Sequence, residues 1–327
     1  MGFKILLPQL IAETGIKVLE ANGFEIIVGN GYTEEDIIRD IKGCDAMIVR
    51  TAKVTRRIIE AADKLKVIAR HGAGFDGVDL EAATEKGIMV LYAPQANSES
   101  VAELALFYML HCSRNFKLVQ KLYKDDYMAA KMKVEKHELC GRTLGLIGVG
   151  NIGGRVAKKA YFGFDMKVIA YDPYAKNLPE YIVPASSRDE VFESADYISL
   201  HIPATPDTVN SVSTHEFNRM KETAFLINTS RGTVVDEAAL IEALKEKKIA
   251  GAALDVTQKE PIDPENPLIA MDNVLTAPHI GGATREAADR ASQICAQGIV
   301  DFLRGKKPEY PIPPMKAMLD AMEWGTR

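Results

Sequence analysis

The first feature of this sequence that could bind a ligand is a glycine-rich turn. Gly148, Gly150 and Gly153 follow a short apolar run and open a stretch with helical spacing that reaches Tyr161. The first glycine permits a tight turn, the second lets backbone approach a pyrophosphate, and the third allows the helix to pack on the strand. The helix N-terminus adds free N–H groups and the positive end of its dipole. The pattern therefore predicts a dinucleotide site formed by Gly148, Gly150, Asn151, Ile152 and Gly153.

A carboxylate about 20 residues after the glycines indicates which dinucleotide is bound. A second apolar run begins at Lys167 and ends at Asp172. A carboxylate at this position can accept hydrogen bonds from both ribose hydroxyls of NAD but would repel the 2′-phosphate of NADP. The residues that follow, Pro173 to Ala175, include no arginine that could bind such a phosphate. NAD is therefore the predicted cofactor.

Polar residues follow three later apolar runs, which are candidate strands. Ligands in open α/β sheets bind at the carboxyl ends of strands, where these residues would lie. They are Arg231 in Asn228–Gly232, Glu260 at the end of a segment from Asp255, and His279 ahead of two glycines. A nicotinamide cofactor implies hydride transfer, and hydride transfer to a carbonyl needs an acid that protonates the oxygen. Histidine suits this role near neutral pH. A carboxylate can raise its pKa, and an arginine can bind a substrate carboxylate. Each residue alone could be structural, but together they predict a catalytic set.

The elements that must position these residues alternate between short apolar runs and amphipathic stretches. Parallel neighbours need crossover connections, so this order predicts two doubly wound parallel-sheet domains of the α/β class. The first has five strands near Lys4–Leu7, Glu25–Val28, Ala46–Arg50, Val67–Arg70 and Ile88–Tyr92, and the second has about six. A single long helix is expected from Ser98 to about Lys121, and another from Arg285 to Leu303. We predict a Rossmann NAD-binding domain, residues 98–304, inserted into a smaller flavodoxin-like substrate-binding domain, residues 1–97 and 305–327.

Composition narrows the class of partner. The 327 residues are 47% hydrophobic and 26% charged, with a formal charge of -5, which gives no reason to expect nucleic acid or an anionic membrane as a partner. The four cysteines are far apart and no Cys/His spacing of the zinc kind is present, so no metal site is predicted. The N-terminal apolar run is too short for a signal peptide. We expect a cytoplasmic protein that acts on a small molecule.

Six ordered motifs carry a family resemblance over nearly the whole chain. They are 70–79 (RHGAGFDGVD), 97–103 (NSESVAE), 145–153 (GLIGVGNIG), 228–232 (NTSRG), 253–256 (ALDV) with 259–261 (KEP), and 278–283 (PHIGGA). The chain resembles the D-2-hydroxyacid dehydrogenase family, in particular its D-3-phosphoglycerate dehydrogenase-like branch in the short form without a regulatory domain. The resemblance implies NAD-dependent interconversion of a D-2-hydroxy acid and its 2-oxo acid.

The resemblance also implies roles for individual residues. His279 is similar to the family's general acid/base, Glu260 to its carboxylate partner and Arg231 to its substrate-binding arginine. Further cofactor contacts are implied at Ile202, Thr229, Ser230, Asp255, Gly281 and Gly282. Substrate contacts are implied at Ala73, Gly74 and Asn97, and at Arg50, which matches a position that reaches a distal anionic group but could equally be a plain strand-end arginine.

The sequence departs from the family pattern at two places, and one rival function is compatible with the same fold. Gly77 stands where many members have Asn, and Thr257-Gln258 replaces an aromatic-acidic pair. The first departure lies in the substrate loop and leaves the identity of the substrate open, with 3-phosphohydroxypyruvate, hydroxypyruvate and glyoxylate as candidates. The rival is an NAD-sensing binding protein of the corepressor type on the same fold, which can retain the same triad. The resemblance favours a homodimer built on the helix after Ser98, although the apolar face of this helix could equally belong to the core.

Overall fold

The structure, a computed structural model, describes residues 2–322 and 324. In chain order the strands are β1 (Lys4–Leu7), β2 (Glu25–Val28), β3 (Ala46–Val49), β4 (Val67–Arg70), β5 (Met89–Tyr92), β6 (Thr143–Ile147), β7 (Lys167–Tyr171), β8 (Ile182–Pro184), β9 (Tyr197–Leu200), β10 (Phe225–Asn228), β11 (Gly251–Leu254) and β12 (Val274–Thr276). The helices are α1 (Glu13–Ala21), α2 (Glu34–Asp40), α3 (Arg56–Ala61), α4 (Leu80–Glu85), α5 (Ser98–Ser113), α6 (Phe116–Tyr123), α7 (Tyr127–Met132), α8 (Gly153–Phe164), α9 (Arg188–Ser194), α10 (Thr214–Phe217), α11 (Glu237–Lys245), α12 (Pro267–Ala270), α13 (Arg285–Leu303) and α14 (Lys316–Asp320).

The described residues divide into two compact units. One is Ser98–Gly281, and the other combines the residues before Ser98 with those from Gly282 onward. Each unit has one all-parallel sheet, with seven strands in Ser98–Gly281 and five strands in the other unit. Central strands such as β3 and β10 are buried along their whole length, which explains why they are almost continuously apolar.

The order of the strands identifies both folds. The five-stranded sheet has the order β2-β1-β3-β4-β5, which is the flavodoxin-like order. The seven-stranded sheet has the order β12-β11-β10-β9-β6-β7-β8. From β8 to β11 this is the Rossmann order of six strands, and β12 adds a seventh. The predicted fold class, two doubly wound parallel-sheet domains, is confirmed.

Three predicted elements differ from the structure. Seven strands replace about six in the second sheet, because the three-residue edge strand β8 is too short to show a periodic pattern. The predicted long helix from Ser98 to Lys121 is two helices, α5 and α6, which are separated at Asn115 with a φ of 46°. Asparagine tolerates this left-handed conformation better than most residues, so the break has a local cause. The connecting segment after Tyr123 contains the short helix α7.

The position of α13 corrects the predicted boundary at residue 304. Buried residues of this helix, including Ala291, Cys295 and Ile299, belong to the same apolar cluster as Ile5 and Leu19. Helix α13 therefore packs on α1 and β4 of the five-stranded unit instead of extending the unit that follows Ser98. Periodicity predicted the helix but not the sheet on which it packs. Among the described residues, no helix is long and apolar enough to cross a membrane.

Candidate active site

Three neighbouring strands place the predicted catalytic residues at one edge of the seven-stranded sheet. Strands β10, β11 and β12 are consecutive in the sheet and parallel. Arg231 follows β10, Glu260 lies in the loop after β11, and His279 follows β12. Because the carboxyl ends of parallel strands meet at one edge, these residues converge although 48 positions separate the first from the last (279 − 231).

His279 and Glu260 form a hydrogen-bonded pair. Nδ1 of His279 lies 2.9 Å from Oε2 of Glu260. This hydrogen bond, together with the negative charges of Glu260 and Asp255, raises the pKa of His279 above its ordinary value. Burial would raise the pKa of Glu260, but the hydrogen bond and the charges of His279 and Arg231 hold it below its ordinary value. The arrangement favours an imidazolium beside a carboxylate.

The backbone around His279 is held in an uncommon conformation by Asp255. His279 has a φ of 54°, in the left-handed region that few non-glycine residues adopt. Its N–H donates to the carbonyl of Asp255 at 2.8 Å, and the Asp255 carboxylate accepts from the N–H groups of Ile280 and Gly281, both at 2.8 Å. A Cβ at Gly281 would lie 2.8 Å from Oδ2 of Asp255, so the close approach requires glycine. Asp255 therefore acts here as the anchor of the histidine turn.

The turn that carries Arg231 is organised by Asn228, the last residue of β10. The buried Asn228 side chain accepts from the N–H and hydroxyl of Ser230 at 3.0 and 2.8 Å, and it donates to the carbonyl of Arg231 at 3.0 Å. The guanidinium of Arg231 donates to the carbonyl of Ser230 at 2.8 Å. Thr229 is buried, and its hydroxyl has no hydrogen-bond partner within the described part of the chain.

The glycine-rich turn fits a dinucleotide phosphate. Gly148 has a φ of 92°, and a Cβ there would lie 2.7 Å from the His201 carbonyl and 2.9 Å from Cγ2 of Ile202. A Cβ at Gly153 would lie 2.2 Å from the Gly148 carbonyl, so this glycine packs the turn on α8. A Cβ at Gly150 would meet nothing within 4 Å. The space above Gly150 is open, as expected where a ligand approaches the backbone.

The N-terminus of α8 faces this turn without a side-chain cap. Its N-cap residue is Ile152, which cannot satisfy the first N–H groups of the helix. Arg155 donates to the carbonyl of Asn151 at 2.6 Å and holds the last part of the turn. Uncapped N–H groups and the helix dipole form the anion site that a pyrophosphate requires. The residues therefore fit NAD.

Asp172 is oriented by two backbone N–H groups. Oδ2 accepts from Val149 at 2.8 Å, and Oδ1 accepts from Tyr174 at 2.9 Å. Each carboxylate oxygen has a further lone pair for a ribose hydroxyl. Asp172 thus links the glycine-rich turn to the end of β7, the position at which the ribose is expected.

Four predicted substrate residues, Arg50, Ala73, Gly74 and Asn97, and one predicted cofactor residue, Gly282, belong to the five-stranded unit. Arg50 follows β3 and donates to the carbonyl of Leu10 at 2.9 Å. Ala73 and Gly74 lie in the loop after β4 and are partly exposed. Oδ1 of Asn97 is buried without a hydrogen-bond partner among the described residues. Nδ2 of Asn97 lies 2.9 Å from the place that a Cβ at Gly282 would take.

Two residues of the site had no predicted role. Tyr108 of α5 is 1% exposed, and its hydroxyl lies 3.4 Å from Oδ1 of Asp255. Burial, with the charge of Asp255, raises the pKa of Tyr108, so the phenol remains a donor. Asn228 lies in the motif of residues 228–232, but no role was predicted for it from the sequence. The polar end of the buried strand β10 was a signal for Asn228, whereas the helical pattern made Tyr108 an ordinary core residue.

Comparison with known proteins identifies the family to which this geometry belongs. Residues 106–281 match the model of the D-isomer specific 2-hydroxyacid dehydrogenase, NAD binding domain. The chain belongs to the D-isomer specific 2-hydroxyacid dehydrogenase family. The predicted family and NAD as the cofactor of the matched domain are confirmed by this match.

Relatives within the 2-hydroxyacid dehydrogenase family carry different names. The chain is 43% identical over 314 residues to a D-3-phosphoglycerate dehydrogenase of Methanocaldococcus jannaschii, covering 94% of this chain but 58% of that protein. It is 35% identical to a glyoxylate reductase of Korarchaeum cryptofilum, covering 93% of this chain and 94% of the relative. The crystal structure of an NAD+-bound 3-phosphoglycerate dehydrogenase of Entamoeba histolytica superposes with a TM-score of 0.81 at 29% identity, covering 95% and 99% of the two chains.

Proposed function

We propose that this protein interconverts a D-2-hydroxy acid and its 2-oxo acid with NAD. The observation that carries the proposal is the 2.9 Å contact between Nδ1 of His279 and Oε2 of Glu260, at a sheet edge shared with Arg231. An imidazolium stabilised by a carboxylate is a proton donor, and a nearby guanidinium binds a carboxylate and polarises a carbonyl.

The reduction adds one hydride and one proton to the 2-oxo acid. When bound, NADH would supply the hydride that C2 accepts. In the seven-stranded unit, Arg231 would bind the substrate carboxylate. In the five-stranded unit, the backbone amides of Ala73 and Gly74 are the proposed substrate contacts. Because Nδ1 of His279 is engaged with Glu260, Nε2 is the nitrogen that gives its proton to the carbonyl oxygen as the C–O double bond becomes single. In oxidation, the neutral imidazole accepts the hydroxyl proton, and Glu260 stabilises the charge that forms.

The cofactor contacts divide among three parts of the Rossmann unit. The turn from Gly148 to Gly153 would hold the pyrophosphate, and Asp172 the adenosine ribose. Ile202, Thr229 and Ser230 would line the remainder of the dinucleotide, with Asp255 and Gly281 near the nicotinamide. The uncapped α8 and the space above Gly150 support this assignment.

The proposed substrates are short 2-oxo acids with a polar substituent at C3 or none. Relatives are named phosphoglycerate dehydrogenase, glyoxylate reductase and hydroxypyruvate reductase. Arg50 would bind a distal anionic group, which distinguishes 3-phosphohydroxypyruvate from hydroxypyruvate. Asn97, whose buried Oδ1 has no hydrogen-bond partner among the described residues, would be a further substrate contact in the same unit.

NADH oxidation tests the proposal directly. The protein is assayed against 3-phosphohydroxypyruvate, hydroxypyruvate, glyoxylate, pyruvate and branched 2-oxo acids, with NADPH in place of NADH as the comparison. Turnover of any one of these 2-oxo acids supports the proposed dehydrogenase activity. An Arg50→Gln variant should have a higher KM for 3-phosphohydroxypyruvate but an unchanged KM for glyoxylate. Tight NADH binding with no turnover across the panel would instead favour the NAD-sensing binding protein.

We also infer that the protein is a homodimer in the cytoplasm. Phe107 and Leu110 of α5 and Phe162 of α8 are 53%, 37% and 65% exposed and line one apolar surface of the Rossmann unit. An exposed apolar surface of this kind is typical of a protein interface. Sedimentation equilibrium of the wild type and of a Phe107→Lys variant tests the assembly, and a monomeric wild type would contradict it.

A further inference from the structure

The loop that carries Glu260 is tied to helix α11 by one carboxylate. We call residues 257–266, between β11 and α12, the Glu260 loop. Oε2 of Glu237, the first residue of α11, accepts from the backbone N–H of Gln258 at 3.1 Å. Oε1 of Glu237 accepts from Nδ2 of Asn266 at 2.7 Å. Gln258 and Asn266 lie near opposite ends of the loop, so Glu237 fixes both ends.

The same stretch of loop backbone packs against the turn that carries Arg231. A Cβ at Gly232 would lie 1.9 Å from the carbonyl oxygen of Thr257 and 2.7 Å from the backbone nitrogen of Gln258. Arg231 directly precedes Gly232, and Glu260 lies two residues after Gln258. The backbone N–H of Gln258, which donates to Glu237, therefore lies between the segment that carries Arg231 and the segment that carries Glu260.

An acid in the first turn of a helix has a simpler explanation, because it complements the helix dipole. In α11, however, the N-cap Asp236 already accepts from the N–H of Ala239 at 3.1 Å. Both carboxylate oxygens of Glu237 accept hydrogen bonds from the Glu260 loop. The contacts of Glu237 are therefore with the loop rather than with its own helix.

We propose that Glu237 is a positioning residue for the reaction: it keeps Glu260 within hydrogen-bonding distance of His279 and fixes the turn of Arg231. The part of this proposal that concerns turnover rests on the proposed dehydrogenase function. The part that concerns the His279–Glu260 pair does not. If Glu237 no longer held Gln258, the loop would sample positions in which Glu260 does not reach His279, and the pKa of His279 would fall toward its ordinary value.

The test measures the ionisation of His279 without any substrate. The imidazole signals of the six histidines are titrated by two-dimensional NMR, and the His279 signal is assigned from its loss in a His279→Asn variant. Glu237→Ala should lower the pKa of His279 by at least about 0.3 unit. Glu242→Ala removes the same charge from an exposed position of the same helix and should leave it unchanged. In a Glu260→Gln background, Glu237→Ala should cause no further decrease.

Turnover and folding are measured in parallel. With the best 2-oxo acid, Glu237→Ala should raise KM at least about fivefold through Arg231 and move the pH midpoint of kcat/KM downward, with the Kd for NADH unchanged. If the alanine variant does not fold, Glu237→Gln is used. Its amide oxygen can accept from only one of the two donors, so a smaller decrease in the pKa of His279 is expected.

The possible results separate the two proposals. An unchanged pKa of His279 in Glu237→Ala, or an equal decrease in the Glu260→Gln background, would overturn the role of Glu237. A lower melting temperature with no change in the pKa would mean that Glu237 only stabilises the fold. If the wild type turns over no 2-oxo acid, the proposed function fails, while the NMR titration still decides whether Glu237 positions Glu260.

Discussion

The carbonyl of Asp255 accepts the N–H of His279 at 2.8 Å, while its carboxylate accepts the N–H groups of the next two residues. One buried aspartate thus holds three successive backbone amides and the left-handed φ of His279. Strained backbone of this kind persists only where the surroundings impose it, and it is concentrated at functional sites. The direction of the His279 side chain toward Glu260 depends on this turn.

Replacing Glu260 by Gln should shift the pH dependence of both reaction directions to lower pH. Reduction needs protonated His279, so kcat/KM for the 2-oxo acid decreases as pH rises through the pKa of His279. Oxidation needs the neutral form and decreases as pH falls through the same pKa. The hydrogen bond from His279 to Glu260 is the main cause of the raised pKa, so its loss lowers both midpoints.

Steady-state rates from pH 5 to 9 in both directions measure this shift. The shift should be modest because the two side chains are 48% and 42% exposed and solvent screens the pair. Midpoints that stay in place, or move apart in the two directions, would assign the titration to another group. Glu265→Gln, in the same loop, serves as a matched control.

Replacing His279 by Asn should lower kcat at least about 100-fold and leave the Kd for NADH nearly unchanged. Asparagine is chosen because it tolerates the φ of 54° at this position better than other neutral polar residues. Single-turnover kinetics and NADH fluorescence titration provide the two quantities. Near-normal turnover would remove His279 from the acid role, and lost NADH binding would indicate that the turn held by Asp255 has collapsed.

Gly150 and Gly153, two glycines of the same turn, should respond differently to replacement by alanine. Gly150→Ala should leave stability within about 0.5 kcal/mol, because the added Cβ meets nothing within 4 Å, but it should weaken NADH binding at least about tenfold. Gly153→Ala would normally stabilise a helix, yet its Cβ would lie 2.2 Å from the Gly148 carbonyl. It should therefore lower the melting temperature.

Thermal denaturation without cofactor, followed by NADH titration of the folded variants, separates these effects. If Gly150→Ala binds NADH as tightly as the wild type, the pyrophosphate does not approach the turn at this residue. A fully stable Gly153→Ala variant would mean that the turn and α8 can separate without cost.

Replacing Asp172 by Ala should weaken NADH far more than NADPH. The variant loses the carboxylate that accepts the ribose hydroxyls and repels a 2′-phosphate. It also loses the hydrogen bonds from the N–H groups of Val149 and Tyr174, so a smaller loss of affinity for NADPH is expected as well. Parallel fluorescence titrations with the two cofactors give the ratio of their Kd values. A wild type that already prefers NADPH would contradict the cofactor assignment.

Local patterns in the sequence were sufficient for the fold class and for the dinucleotide turn. Gly148, Gly150, Gly153 and Asp172 lie within one βαβ unit, where spacing along the chain determines spacing in space. The position of Arg231, Glu260 and His279 at one sheet edge could be predicted because each follows a strand of one parallel sheet. The edge strand β8 and the break at Asn115 could not, because short elements and single left-handed residues leave no periodic signal.

The sequence by itself determined which residues are available for chemistry: the glycines, Asp172, Arg231, Glu260 and His279, and the alternation of strands and helices that brings strand ends together. The tertiary structure alone decided how they are held. The anchoring of His279 by Asp255, the contact of Tyr108 with that aspartate, and the attachment of the Glu260 loop to Glu237 join residues 21 to 147 positions apart. Such contacts depend on the packing of whole elements, and no local spacing specifies them.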